Sequence, residues 1–263
     1  MPRLSANLTT LYRDIPFLDR FAMAARAGFR HVEFQFPYLE AKADIRTALD
    51  ANGLDLVLMN TPPGDRAAGE IGLAVLPDRR DEFRRSIDLA LDYATALGSP
   101  RLHCVAGVVP PGSDRGALED CFVENLRHAA GEAYRAGVKL LVEPLNPFDT
   151  PGYFLTDVDD AVQLIEKAAT GNLFLQYDFY HQSRTRGELV ATFDRLRPLI
   201  DHVQIAGNPG RYEPEKGEVN FDFVMAHLDA AGWEGFVGCE WTPRPGERAA
   251  ELGWARRHLE ETP

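Results

Sequence analysis

Eight short apolar runs, each separated from the next by a stretch of helical periodicity, constrain this chain more than any other feature. They are Leu4 to Asn7, Phe29 to Phe36, Leu54 to Asn60, Arg101 to Ala106, Val138 to Val142, Leu173 to Asp178, Ile200 to Ala206 and Gly235 to Glu240. Each has the length of a strand, and most are rich in aliphatic, β-branched or Phe residues. That composition suits strands buried on both faces.

The stretches between them read as helices. Pro16 opens one that runs through Arg26, with Phe17, Leu18, Phe21, Ala22 and Ala25 at helical spacing, and Gly28 closes it. Others are expected over about 40–51, 79–97, 116–136, 188–196, 221–231 and 247–259, with Gly53, Gly98 and Gly232 as stops. Thr156 is the expected N-cap of a further helix that ends near Ala169. The helix over 79–97 is the clearest, with Phe83, Ile87, Leu91 and Ala94 on one stripe.

Strict alternation of strand and helix implies a parallel sheet. Eight such units within 263 residues match a (β/α)8 TIM barrel. No linker or composition break divides the chain, so residues 1–263 are expected to form a single domain. The competing α/β architecture is an open doubly wound sheet. That fold usually carries a Gly-rich first turn for a nucleotide, and the turn after Asn7 has no Gly-x-Gly-x-x-Gly. The stretch from Thr61 to about Pro77 is rich in Pro and Gly and unusually long, which marks it as a lid or rim loop.

If the chain closes into a barrel, its active site lies at the C-terminal ends of the strands. Those ends carry Asn7, Glu33 or Gln35, Asn60, His103, Glu143, Asp178, Gln204 and Glu240. Every one is polar or ionisable. Glu143 shows the pattern well: a buried apolar run stops at a carboxylate, and Pro144 offers no further ladder donor. Glu143, Asp178 and Glu240 would repel one another if brought close as bare anions. A divalent cation relieves that repulsion, and three carboxylates with the amide oxygen of Gln204 make an all-oxygen site suited to Mg²⁺ or Mn²⁺.

Around this set, His181 is a candidate to orient a carboxylate or touch substrate. Asn7, Asn60 and His103 stand at the same strand ends, although His103 reads equally well as a core histidine. Arg211 reads either as a solvated surface residue or as a bidentate partner for a substrate carboxylate. Glu218, in the same loop, reads as a cap or an orienting group. His202 begins the seventh strand and is expected at the opposite end of the barrel, in a structural role.

The net charge of −12 disfavours a nucleic-acid partner. The cysteine count is three, and no Cys-x-x-Cys occurs, so a disulfide framework is not expected and a reducing cytoplasm is the simplest home. Cys104 and Cys239 read as small buried hydrophobes within strands. The first residues carry no apolar leader-like core. No run approaches the roughly 18 apolar residues that a membrane span needs, so no membrane partner is expected. A homo-oligomer remains open.

Several segments, in order along nearly the whole chain, carry a family resemblance. They include Ala6-Asn7-Leu8, Val32-Glu33-Phe34-Gln35-Phe36-Pro37-Tyr38, Asn60-Thr61-Pro62-Pro63-Gly64-Asp65 and Val142-Glu143-Pro144-Leu145-Asn146. Further on come Gln176-Tyr177-Asp178-Phe179-Tyr180-His181, His202-Val203-Gln204-Ile205-Ala206-Gly207 and Gly238-Cys239-Glu240. Together they resemble the hydroxypyruvate isomerase family within the xylose-isomerase-like barrels, which also includes 2-oxo-tetronate isomerases. The resemblance implies a metal held by Glu143, Asp178, Gln204 and Glu240, with Glu143 and Glu240 as the acid/base pair. It implies interconversion of hydroxypyruvate and tartronate semialdehyde through an enediolate. A 2-oxo-tetronate isomerase is the near alternative, and a ketose 3-epimerase acting on neutral sugars is a further one. The chain departs from many relatives at Trp241, where Tyr is expected, and at Tyr212, where His is common.

Overall fold

A computed structural model describes residues 2–244, 246 and 253–260. Its strands are β1 (Arg3–Asn7), β2 (His31–Phe34), β3 (Asp55–Asn60), β4 (Arg101–His103), β5 (Lys139–Val142), β6 (Leu173–Asp178), β7 (Ile200–Ile205) and β8 (Phe236–Cys239). They close into a parallel (β/α)8 barrel in sequence order. The helices among the described residues are α1 (Arg20–Arg26), α2 (Lys42–Asn52), α3 (Arg80–Leu97), α4 (Arg115–Arg135), α5 (Val158–Ala168), α6 (Phe179–Thr185), α7 (Leu189–Leu196), α8 (Phe221–Ala230) and α9 (Gly253–Glu260). The first part of the expected final helix, 247–252, lies outside the described residues.

The expected apolar stripes are buried, with small shifts. On α3 the buried positions are Phe83, Ser86, Ile87, Ala90, Ala94 and Leu97, while Leu91 is only half-buried. The helix turns the smaller Ala90 inward. It stops at Gly98, whose left-handed φ of 72° would strain a residue bearing a Cβ. Thr156 is not the cap of α5. Asp157 is, its carboxylate accepting from the Asp159 amide at 2.9 Å, and the charge suits the helix N-terminus better than a hydroxyl. One helix was not expected: α6 follows β6 directly. Asp178 caps it by accepting from the Tyr180 amide at 2.8 Å.

The chain forms two compact units. One comprises the chain up to Phe34, Glu40–Val57 and the chain from Tyr177 onward; the other comprises Gln35–Leu39 and Leu58–Gln176. In the first, β1 pairs with β2 and β8, and β7 with β8. Phe17, Phe21 and Phe34 meet edge to face behind β2, and Tyr177, Phe179, Phe193 and Trp233 form a second aromatic cluster. In the second unit β4 pairs with β3 and β5, and Phe122 packs edge-on against Phe154.

Much of the long loop after β3 is pinned down. Leu73, Ala74 and Val75 are buried, the Val75 amide donates to the Ala106 carbonyl at 3.0 Å, and Asn125 donates to the Ala74 carbonyl at 2.8 Å. A Cβ on Gly72 would lie 2.4 Å from the Val105 carbonyl oxygen, so only glycine permits that approach. The exposed stretch of this loop is 65–69. Among the described residues no helix is long and apolar enough to cross a membrane.

Candidate active site

Five candidate residues of the first unit, Asn7, Asp178, His181, Arg211 and Glu240, share a chain of contacts. Asp178 ends β6 and Glu240 follows β8; both are buried. Arg211, from the loop after β7, bridges them: its Nη2 donates to Glu240 Oε2 at 2.6 Å and to Asp178 Oδ2 at 3.5 Å. The loop holds this arginine in a left-handed conformation, φ 56°, at a backbone cost of about 1–2 kcal/mol. Hydrogen bonds fix the turn: the Gly207 amide donates to the Tyr212 carbonyl, and the Thr242 amide to that of Arg211. Glu218 accepts from Asn208 at 2.7 Å and so braces the same loop. The guanidinium also lies 5.2 Å from the centre of the Tyr180 ring, within cation–π range.

Glu240 is held from its other side by Asn7, whose Nδ2 donates to Oε1 at 3.1 Å. Asn7 Oδ1 accepts from the Thr9 amide at 3.0 Å, so the side chain is fixed at both ends. His181 sits on α6 three residues after Asp178, a spacing that puts the two on one side of the helix, and Nε2 lies 3.6 Å from Oδ2. Asp178 thus divides its oxygens: Oδ1 caps α6, and Oδ2 faces Arg211 and His181. Burial pushes the Asp178 carboxyl up to about 7; Arg211 opposes the rise and Glu240 adds to it.

Bonded to Asn7 is a residue that the sequence placed among the polar strand ends but to which it gave no role. Glu33, inside β2, is completely buried and accepts from Ser5, Asn7 and Gln204. His202 was expected at the far end of the barrel in a structural role. Instead its Nε2 lies 2.9 Å from Glu33 Oε2, on the carboxylate that also receives Gln204. Two signals for this group stand in the sequence. Glu33 is a carboxylate between apolar strand neighbours, and His202 and Gln204 are two apart, hence on one face of β7. Burial would raise the Glu33 carboxyl, but His202 and the hydrogen bonds from Gln204 and Ser5 hold it below the ordinary range.

In the second unit, His103 and Glu143 are both buried, with Nδ1 3.5 Å from Oε2. Asn60 pairs in register with His103, which puts these two strand ends side by side, and the Tyr38 hydroxyl donates to the Asn60 carbonyl. Tyr153 was also not foreseen; its buried hydroxyl accepts from the Ala106 amide at 2.8 Å. Trp241 turns into the protein and packs edge-on against Trp254 of α9. Glu143 of this unit, and Asp178 and His181 of the first, are each buried and carry donors of the kind that hold a metal ion.

Residues 21–260 match the model of the xylose isomerase-like TIM barrel family. The chain is 46% identical over 259 residues to a 2-oxo-tetronate isomerase of Cupriavidus necator, covering 98% of this chain and 99% of that one. It is 42% identical to a hydroxypyruvate isomerase of Escherichia coli, covering 97% and 98%. A solved structure from Brucella melitensis, described as an AP endonuclease of family 2, superposes with a TM-score of 0.95 at 42% identity, over 98% and 99% of the two chains.

Proposed function

The chain belongs to the xylose isomerase-like TIM barrel family, and from that premise we propose that it is a metal-dependent isomerase of a small sugar acid. The reaction is the interconversion of tartronate semialdehyde and hydroxypyruvate. A second reading, 2-oxo-tetronate as substrate, is favoured by the relative at 46% identity that bears that name. Both substrates combine an α-hydroxy carbonyl group with a carboxylate. The observation that carries the proposal is the buried pair Asp178 and Glu240 sharing one guanidinium, with Asn7 fixing Glu240 from behind.

The donor chemistry fits a hard divalent cation. Glu143, Asp178 and Glu240 offer carboxylate oxygens and Gln204 an amide oxygen, and a buried Asp178 that resists ionisation needs a cation to hold its charge. Mg²⁺ or Mn²⁺ held by these four would supply Lewis-acid stabilisation of charge on the substrate oxygens. The protein's own groups do the rest. Glu143 and Glu240 form the acid/base pair: one moves the proton on the carbon beside the carbonyl, and the other serves oxygen, giving an enediolate. His103 orients Glu143, Asn7 orients Glu240, and His181 orients Asp178. Arg211 supplies positive charge for the substrate carboxylate, and Asn60, at the end of β3, offers a further polar contact to it. The proposed home is the cytoplasm.

A substrate panel followed by NMR, with and without EDTA, tests this. Tartronate semialdehyde, hydroxypyruvate, 2-oxo-tetronate and a neutral ketose are each offered to the wild type and to Arg211→Ala. Turnover of a sugar acid, lost in EDTA, with KM raised in Arg211→Ala is the expected result. Turnover of the neutral ketose alone would replace the proposal with a 3-epimerase.

A further inference from the structure

Glu33 is a fully buried carboxylate whose two oxygens have separate tasks. Oε1 accepts from Gln204 Nε2 at 2.6 Å and from Asn7 Nδ2 at 3.1 Å. Oε2 accepts from Ser5 Oγ at 2.7 Å and faces His202 Nε2 at 2.9 Å. The imidazole has its hydrogen on Nε2: the buried Nδ1 has no hydrogen-bond partner among the described residues, so a hydrogen there would go unsatisfied. Space for the carboxylate comes from Gly238 on β8, where a Cβ would lie 2.5 Å from both oxygens.

A primary amide can meet an ionised carboxylate only with its NH₂ end. Glu33 therefore dictates which way two side-chain amides point. Gln204 must turn its oxygen away from Glu33, and oxygen is the atom a hard cation takes. Asn7 must turn its nitrogen toward Glu33, which leaves its second hydrogen for Glu240 Oε1. A single carboxylate thereby sets both an amide ligand and the acid/base residue.

We propose that Glu33 is a positioning residue, which fixes the amides of Gln204 and Asn7 and through them the cation-facing oxygen and the Glu240 carboxylate. This rests on the metal and acid/base reading given above. Glu33 touches neither substrate nor metal. Replacing it with Gln would present an NH₂ group either to the amides, which must then turn over, or to His202, whose hydrogen must then move to Nδ1, which has no partner among the described residues.

The test is a Mn²⁺ titration of the full chain, followed by the electron paramagnetic resonance signal of free Mn²⁺, alongside sugar-acid kinetics. Glu33→Gln is expected to weaken Mn²⁺ binding about 10- to 100-fold, the usual effect of losing a residue that orients a ligand. In the same variant kcat falls while KM for the sugar acid holds. Ser5→Ala touches only Oε2; it is expected to lower the melting temperature and leave Mn²⁺ affinity unchanged. In the double variant Glu33→Gln with Gln204→Ala, the two losses of affinity are expected not to add. Glu33→Asp keeps the charge but withdraws it by one methylene, and it replaces Glu33→Gln if the latter does not fold. A folded variant at position 33 that binds Mn²⁺ as tightly as the wild type overturns the proposal. A wild type that binds Mn²⁺ without isomerising any sugar acid overturns the proposed reaction but leaves the positioning of Gln204 standing. A wild type that binds no Mn²⁺ overturns both.

Discussion

Asp178 is one residue with two assignments, and the division of its oxygens is what reconciles them. A carboxylate at a strand end commonly caps the next helix, and Oδ1 does so for α6. The other oxygen remains for Arg211. Its raised pKa has a consequence for stability. The unfolded chain releases this proton near pH 3.9 and the folded chain near 7, so the native state binds more protons in between. Stability contributed by the protonated form is lost as pH rises from about 4 to about 7. In EDTA, the urea midpoint of the wild type is expected to fall over that window relative to Asp178→Asn; parallel profiles for the two would contradict this. Residue identities at the strand ends were legible because a polar side chain after a buried apolar run has few bland explanations. What Glu33 does was not, because a single carboxylate on a strand gives no hint of its partners until β1, β2 and β7 are brought together.

At the scale of elements, glycine position separates site from scaffold. Gly238 lies on β8 against the Glu33 oxygens, which are held by their donors and cannot withdraw freely. Gly238→Ala is expected to destabilise by about 1–3 kcal/mol through overpacking. Gly131, inside α4, has nothing within 4 Å of an added Cβ. Gly131→Ala is expected to stabilise by about 0.5–1 kcal/mol. Denaturant unfolding of the two variants checks both signs. The strands and the long helices were readable from periodicity alone, since α3 and α4 repeat their apolar stripe over several turns. The seven-residue α6 was not: it is too short to show a period, and burial of Phe179 to Gln182 rather than propensity holds it. The cap of α5 slipped from Thr156 to Asp157 for a similar reason, because adjacent Thr and Asp are both good caps and only the fold chooses between them.

For the whole molecule, eight alternating units were enough to give the barrel, and a barrel directs the search for a site to its strand ends. The contacts that tune the site, such as Arg211 on Glu240, depend on loop geometry that no pattern announces. Cys104 and Cys239 are buried as expected, and Cys121 is buried too; burial pushes the Cys104 thiol up to about 12 and raises that of Cys239. A thiol reagent such as DTNB is expected to leave the native protein unmodified and to titrate all three thiols in guanidinium chloride. Reaction of the native fold would show that one of these elements opens. The central claim is that buried carboxylates carry out proton transfer on a sugar acid, and Glu240→Gln tests it most directly. With metal binding verified, this variant is expected to lose about 10²- to 10⁴-fold in kcat on the substrate that the wild type turns over. Near-full turnover by the metal-loaded variant would contradict the account.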